Sequence, residues 1–301
     1  MELTLEREIK TETQQKERDE YTISCFIMLE NSKAFNLKTK SYNVEICGKP
    51  MVSWVARACP TTPVYIEQNT GDTIIETIRP YLKNTDYTLV LYSDTPLMTK
   101  SNIDEIMDFV VNRGLNVCKL TRGYVFKTDY IKRVGEIYTP QTYYFEEEDF
   151  MIASSFSQVA IIAEILKNRI LSYHMKKGVY FKDPNFVTIG GDVSIGTGTV
   201  IEPNVSLLGK VIIGEDCKIG SGSKLENVRI FDNCIIGSAS VKTSVIEEGA
   251  FIGENVVIEK NSLIKKNSVI KNNAVITGSI VAENSVIENG QILNQTSKVG
   301  E

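Results

Sequence analysis

Histidine is almost absent from this chain. Among 301 residues only His174 carries an imidazole. A His-rich zinc site is therefore excluded, and any mechanism that needs a histidine base has one seat. Cysteine occurs six times (Cys25, Cys47, Cys59, Cys118, Cys217 and Cys234) and never as Cys-x-x-Cys. That argues against a zinc or disulfide framework and for buried free thiols in a reducing cytosol. Basic residues are outnumbered, 33 against 38 acidic, which disfavours a nucleic-acid binder. No apolar run reaches membrane-spanning length. The best, at 159–163, is interrupted by Glu164. Residues 1–20 hold many charges and no apolar core, so they read as a solvated extension rather than a secretion signal. These exclusions leave a cytoplasmic protein with neither nucleic acid nor membrane among its partners.

What is present is ordinary globular composition, 42% hydrophobic and 24% charged. The length suggests two domains at about 150 residues each. Residues 21–180 alternate strand-like and helix-like segments. Strands are expected over 23–29, 63–66, 87–92 and 123–126. Helices are expected over 51–58 (opening after Pro50), 73–82, 103–111 and 156–175. The alternation predicts an α/β sheet with parallel strands. The acidic run Glu146-Glu147-Glu148-Asp149 reads as a solvated loop.

Residues 181–292 change character, and a short tail, 293–301, follows them. An aliphatic residue recurs every six positions: Ile189, Ile195, Ile201, Leu207, Ile213, Ile219 and Leu225, then Ile246, Ile252, Ile258, Ile264, Ile270 and Ile276. Four places after each, the residue is usually small, as at Thr199, Cys217, Ser223, Ala250 and Ser268. Neither the helical nor the strand period yields six. A β-helix does, with one inward aliphatic residue per flat side and a small residue at each corner. Between 226 and 245 the phase slips, which reads as a bulge or loop on the helix.

Three passages carry a family resemblance. They are Cys47-Gly48-Lys49-Pro50-Met51-Val52, the strand end Leu89-Val90-Leu91-Tyr92-Ser93-Asp94-Thr95-Pro96-Leu97, and the stretch from Ile170-Leu171-Ser172-Tyr173-His174 through Pro184 into the first coils. Together they resemble the bifunctional N-acetylglucosamine-1-phosphate uridyltransferase/glucosamine-1-phosphate acetyltransferase family, in a shortened and degenerate form. The resemblance implies a nucleotidyltransferase-like, Rossmann-like α/β domain over 21–180, a left-handed parallel β-helix over 181–292, and a homotrimer.

It also implies chemistry that can be compared residue by residue. Uridyl transfer in that family uses a glycine-rich loop after the first strand, whose backbone N–H groups cradle a triphosphate. Here that loop reads Glu30-Asn31-Ser32-Lys33-Ala34-Phe35, and no glycine occurs before Gly48. The family's upstream lysine falls on Ser41, beside Lys40, so Lys40 and Lys49 are the candidate phosphate-binding cations. The family's metal-binding aspartate falls on Asp94, which reads either as a Mg²⁺ ligand or as a turn residue ahead of Pro96. Its asparagine partner falls on Ser154 or Ser155. The sugar-binding turn is reduced to Thr121-Arg122-Gly123. The repeats lack the histidine base and the Arg-Pro-Gly turn of acetyl transfer. Lys260, Lys265, Lys266 and Lys271 read as a solvated surface or as a basic patch for an anion.

Three functions follow as alternatives. One is a nucleotidyltransferase-like protein with impaired or lost catalysis, serving as a trimeric scaffold or regulator. The second is an active, Mg-dependent UDP-sugar pyrophosphorylase acting on a nucleotide and a sugar phosphate. The third is an acyl-CoA-dependent acyltransferase working through the β-helix. No cofactor is required unless the nucleotidyltransferase site is active.

Overall fold

The computed structural model describes residues 21–32, 35, 40–68, 71–137, 141–143, 148–294 and 298–299. The 1–20 extension, Glu146 and Glu147 of the acidic run, and most of the 293–301 tail lie outside the described residues. The chain divides into two compact units, Met1–Ile162 and Ala163–Glu301. Among the described residues no helix is long and apolar enough to cross a membrane. None of the six cysteines, all among the described residues, forms a disulfide.

The first unit is built on a six-stranded sheet. Its strands are β1 (Ile23–Met28), β4 (Val64–Ile66), β5 (Tyr87–Tyr92), β6 (Val117–Leu120), β7 (Gly123–Lys127) and β8 (Gln141–Tyr143), in the order β4-β1-β5-β7-β6-β8. A small hairpin, β2 (Glu45–Ile46) and β3 (Lys49–Pro50), stands apart. β1 and β5 are apolar on both faces because helices cover both. Cys25, Ile27, Leu89 and Leu91 pack on one face with Val55 of α1 (Met51–Ala58) and Ile103 of α3 (Lys100–Asn112). Phe26, Met28 and Val90 pack on the other face with Ile75 of α2 (Ile74–Ile78) and Ile131 of α4 (Thr128–Arg133). Capping boxes at Thr73–Glu76 and Thr99–Asn102 set the starts of α2 and α3.

The expected parallel order holds for β4, β1 and β5. It fails at β7, which is antiparallel to both β5 and β6. The reason is local. Thr121 and Arg122 form a two-residue turn joining β6 to β7 as a hairpin, with Leu120 opposite Gly123. Gly123 sits at φ +138°, and a Cβ there would land on the Val90 carbonyl oxygen. Only glycine lets β7 lie this close to β5.

The second unit opens with the later turns of α5 (Phe156–Lys176) and continues as a parallel β-helix of three sheets, each of seven strands. Every inward aliphatic residue of both hexad series is buried. The phase slip is not a loop. The inward positions continue unbroken through Ile230, Ile236 and Val241, all buried, with Ile213 paired to Ile230 and Ile230 to Ile246. Three corners in this stretch, those after Leu225, Ile236 and Val241, are five residues long instead of six. The coil therefore shortens from 18 residues (Leu207 to Leu225) to 16 (Leu225 to Val241) without leaving register. Counting by six fails there although the repeat persists.

Many corners turn on a residue three places after the inward one, and those after Leu207, Leu225 and Val241 turn on one two places after it, Gly209, Asn227 and Thr243. Asn204, Asp216, Asn233, Asn255, Asn267 and Asn273 all have φ between +52° and +60°. Asn and Asp tolerate this left-handed backbone better than other residues with a Cβ. The small buried residues that follow satisfy carbonyls of adjacent coils. The Ser223 hydroxyl lies 2.7 and 2.6 Å from the Gly220 and Gly237 oxygens and can donate its one proton to either, and the Cys217 and Cys234 thiols reach the Phe231 and Glu247 oxygens, each at 3.1 Å. Burying unpaired carbonyls here would cost about 1–3 kcal/mol each.

Candidate functional site

The carboxyl ends of β1 and β5 are where an open α/β sheet holds its ligands. Asp94 lies just past β5. Its backbone oxygen accepts from the Ala153 N–H at 2.8 Å, and the residue is only 7% exposed. Pairing of Leu91 with Gly123 places the preceding Arg122, at the tip of the β6–β7 hairpin, beside the end of β5. Arg122 donates to Asp94 through two nitrogens, Nε to Oδ1 at 3.2 Å and Nη2 to Oδ2 at 2.7 Å. Nη2 also lies 3.4 Å from Glu30 Oε1, and the guanidinium carbon is 4.2 Å from the Tyr92 ring centroid. Burial pulls the Arg122 pKa down, but the Asp94 hydrogen bonds and the Asp94 and Glu30 charges outweigh it. The guanidinium is left above its ordinary value. Burial likewise raises the Tyr92 phenol, opposed by the Arg122 charge.

The loop after β1 is closed on itself. The Glu30 N–H donates to Ser93 Oγ and the Ser32 N–H to Ser41 Oγ, each at 2.9 Å. Ser41 also donates its own N–H to Asn31 Oδ1 at 2.9 Å and its hydroxyl to the Glu30 oxygen at 3.2 Å. Ser41 is buried and knits the loop together at the position where the resemblance puts a lysine. Two backbone donors that would face a phosphate are thus already engaged.

Both Asp94 oxygens accept from a guanidinium, and among the described residues no three His, Cys, Asp or Glu side chains cluster to hold a metal. Ser154 and Ser155 face the Gln158 amide oxygen, at 2.6 and 3.3 Å, across the start of α5. The fold does bring Asp94, the 30–32 loop and Ser154 together, since Ser32 Oγ donates to the Ser154 oxygen at 3.2 Å. It does not bring Lys40 to them. Lys40 pairs with Glu67 at 3.5 Å, both half exposed. Lys49 lies in the β2–β3 hairpin opposite Ile46. The sequence marks Thr121-Arg122-Gly123 as a turn, with nothing in it that gives Arg122 a role. The signal was an arginine in a two-residue turn, and only sheet register shows what it reaches.

In the second unit His174 is 3% exposed. Its Nδ1 has no hydrogen-bond partner, and burial holds its pKa below the ordinary value. It lies on α5 rather than in the repeats. Of the four flagged lysines, Lys266 pairs with Glu248 at 3.1 Å, Lys271 with Glu288 at 2.7 Å and Lys260 more loosely with Glu259 at 3.9 Å. Three of the four lysines thus stand beside a carboxylate on the solvated surface.

The repeat region matches the bacterial transferase hexapeptide family over residues 192–227 and 243–278, skipping most of the stretch with shortened corners. The bifunctional protein GlmU of Alkaliphilus metalliredigens (strain QYMF) is 38% identical over 106 residues, covering 35% of this chain and 23% of that protein. GlmU of Latilactobacillus sakei subsp. sakei (strain 23K) is 24% identical over 323 residues, covering 75% of this chain and 70% of that one. The chain is related to GlmU. The first GlmU proteins it matches are spanned over only about a quarter of their own length. A solved CMP:2-keto-3-deoxy-manno-octonic acid synthetase complexed with CTP is similar at 10% identity, over 49% of this chain and 99% of that one. Its TM-score is 0.37.

Proposed function

We propose that this GlmU-related chain is a nucleotidyltransferase-like protein without uridyl transfer, serving as a trimeric scaffold or regulatory subunit. The observation that carries the reading is Arg122 holding both oxygens of Asp94. Phosphoryl transfer relies almost wholly on positioning and on cations that neutralise the phosphates. Glu30, Asp94 and Arg122 together carry a net charge of −1, which repels a polyphosphate, and the loop N–H groups are engaged within the protein.

The scaffold role is supported by the outer face of one β-helix sheet. Val200, Ile235, Phe251, Val269 and Val286 stand in register there, broken only by Lys218. Ile235, Phe251 and Val286 are each at least 40% exposed. An apolar ladder of this kind is covered in an assembly more often than left to water.

Two measurements test the proposal. Pyrophosphate release from UTP, Mg²⁺ and N-acetylglucosamine 1-phosphate is expected to stay at background, and turnover abolished by Asp94→Ala would overturn the loss of catalysis. Sedimentation at micromolar concentration is expected to give a trimer, and a monomer would overturn the scaffold role.

A further inference from the structure

We propose that a notch in the repeat unit binds a small amphipathic anion, an apolar body about 10 Å long bearing one carboxylate, phosphate or sulfonate group. The notch follows from the shortened corners. At one edge of the β-helix the corners Leu225–Ile230 and Val241–Ile246 each lack a residue, while those of the flanking coils, Leu207–Ile213 and Ile258–Ile264, are full length. Two withdrawn coils between two full ones leave a recess of about 560 Å³, within the range of small-molecule sites. Coils stack about 4.8 Å apart, so the withdrawn pair accounts for the ligand length.

The lining has two parts. The floor is a register column of outward residues, Ile212, Arg229, Val245 and Leu263, apolar apart from the arginine. The rim cation is Lys210, whose backbone N–H is fixed by Asn227 Oδ1 at 3.0 Å. Several other basic residues on the repeats stand beside carboxylates, as in Lys182–Glu202, Lys242–Glu226, Lys266–Glu248 and Lys271–Glu288, while Lys218, Lys224 and Lys265, which do not line the notch, have no such pair among the described residues. Lys210 and Arg229 form no ion pair among the described residues, and Arg229 is held over the Phe231 ring at 4.7 Å. The buried Ser244 and Ser262 hydroxyls in the wall already donate to the Lys242 and Glu259 carbonyls. What remains unsatisfied is a pair of positive charges above an apolar floor, and an apolar anion is complementary to both.

The probe is 8-anilinonaphthalene-1-sulfonate, titrated by fluorescence into the full chain. The expected result is saturable binding at one site per chain. The double variant K210Q/R229Q is expected to weaken it at least about 10-fold, the loss of one charge-assisted hydrogen bond, with an unchanged circular-dichroism melt. Phe251→Ser, on another sheet, and Lys218→Gln are expected to leave the affinity within about 2-fold, the scatter of remote surface changes. The proposal is overturned if K210Q/R229Q binds as well as the parent, if Phe251→Ser abolishes binding, or if no saturable binding is seen at all.

Discussion

Truncating Arg122 to alanine strands the Asp94 carboxylate. The carboxylate loses bonds of 3.2 and 2.7 Å in a residue that is 7% exposed, and Glu30 loses its neighbouring charge. Removing one partner of a buried ion pair costs about 3–5 kcal/mol. The Arg122 side chain is 29% exposed, so water partly replaces it and the expected cost falls to about 2–3 kcal/mol. The second substitution Asp94→Asn removes the stranded charge and is expected to recover about 1 kcal/mol or more, so the two changes are not additive. Trp54, the chain's one tryptophan, lies in α1 of the first unit at 9% exposure with its Nε1–H on the Ile46 oxygen. Urea unfolding followed by its fluorescence therefore reports this unit without interference from the repeats. Adding millimolar Mg²⁺ is expected to leave the parent midpoint unmoved, because a ligand raises stability only where it binds the folded state. The reasoning is refuted if Arg122→Ala costs less than about 0.5 kcal/mol, the range of ordinary surface changes. Strict additivity with Asp94→Asn, or a Mg²⁺-induced rise in the parent midpoint, refutes it equally.

Three further outcomes are expected. Gly123→Ala forces a side chain onto the Val90 carbonyl at φ +138° and should lower the stability of the first unit by about 3 kcal/mol or more, read by Trp54 fluorescence. Ile252→Ala opens a cavity at a fully buried inward position and should cost about 2–5 kcal/mol, measured by chemical denaturation followed by circular dichroism. The His174 pKa is held below its ordinary 6.5 by burial. The unfolded chain therefore takes up a proton near that pH that the folded unit refuses. Stability of the second unit is full above pH 6.5 and falls as pH drops below it, until the lower folded pKa is reached. The thermal midpoint of His174→Gln should lose this slope between pH 7 and 5.5.

The β-helix was legible because its period is written in residues that must point inward, and every one of them does. The shortened corners were not legible as such. Losing one residue at a corner changes the count to the next inward position but not the face that position occupies, so a ruler of six reports a break where the wall is continuous. In the first unit, strands and helices followed from apolar spacing, and Asp94 was found by its place at a strand end. Its partner was hidden. Arg122 lies 28 residues away, and only the antiparallel register of β7 on β5 brings the two together. Ser41 was read as a lost lysine, whereas its burial and three hydrogen bonds make it the clasp of the loop. A substitution names what is gone. It does not name what the new side chain ties together.

The corners also decide where this chain tolerates changes of length. Side chains on a strand alternate in and out, so deleting one residue within a strand turns every later neighbour on that side the wrong way. At a left-handed corner the same deletion is absorbed by the bend. Leu225, Ile230 and Ile246 remain inside although the numbering between coils has moved from 18 to 16. Corners are thus joints at which insertions and deletions can accumulate while the buried column stays aligned. A lineage of such proteins can remodel its outer surface coil by coil, recess by recess, without renegotiating its interior.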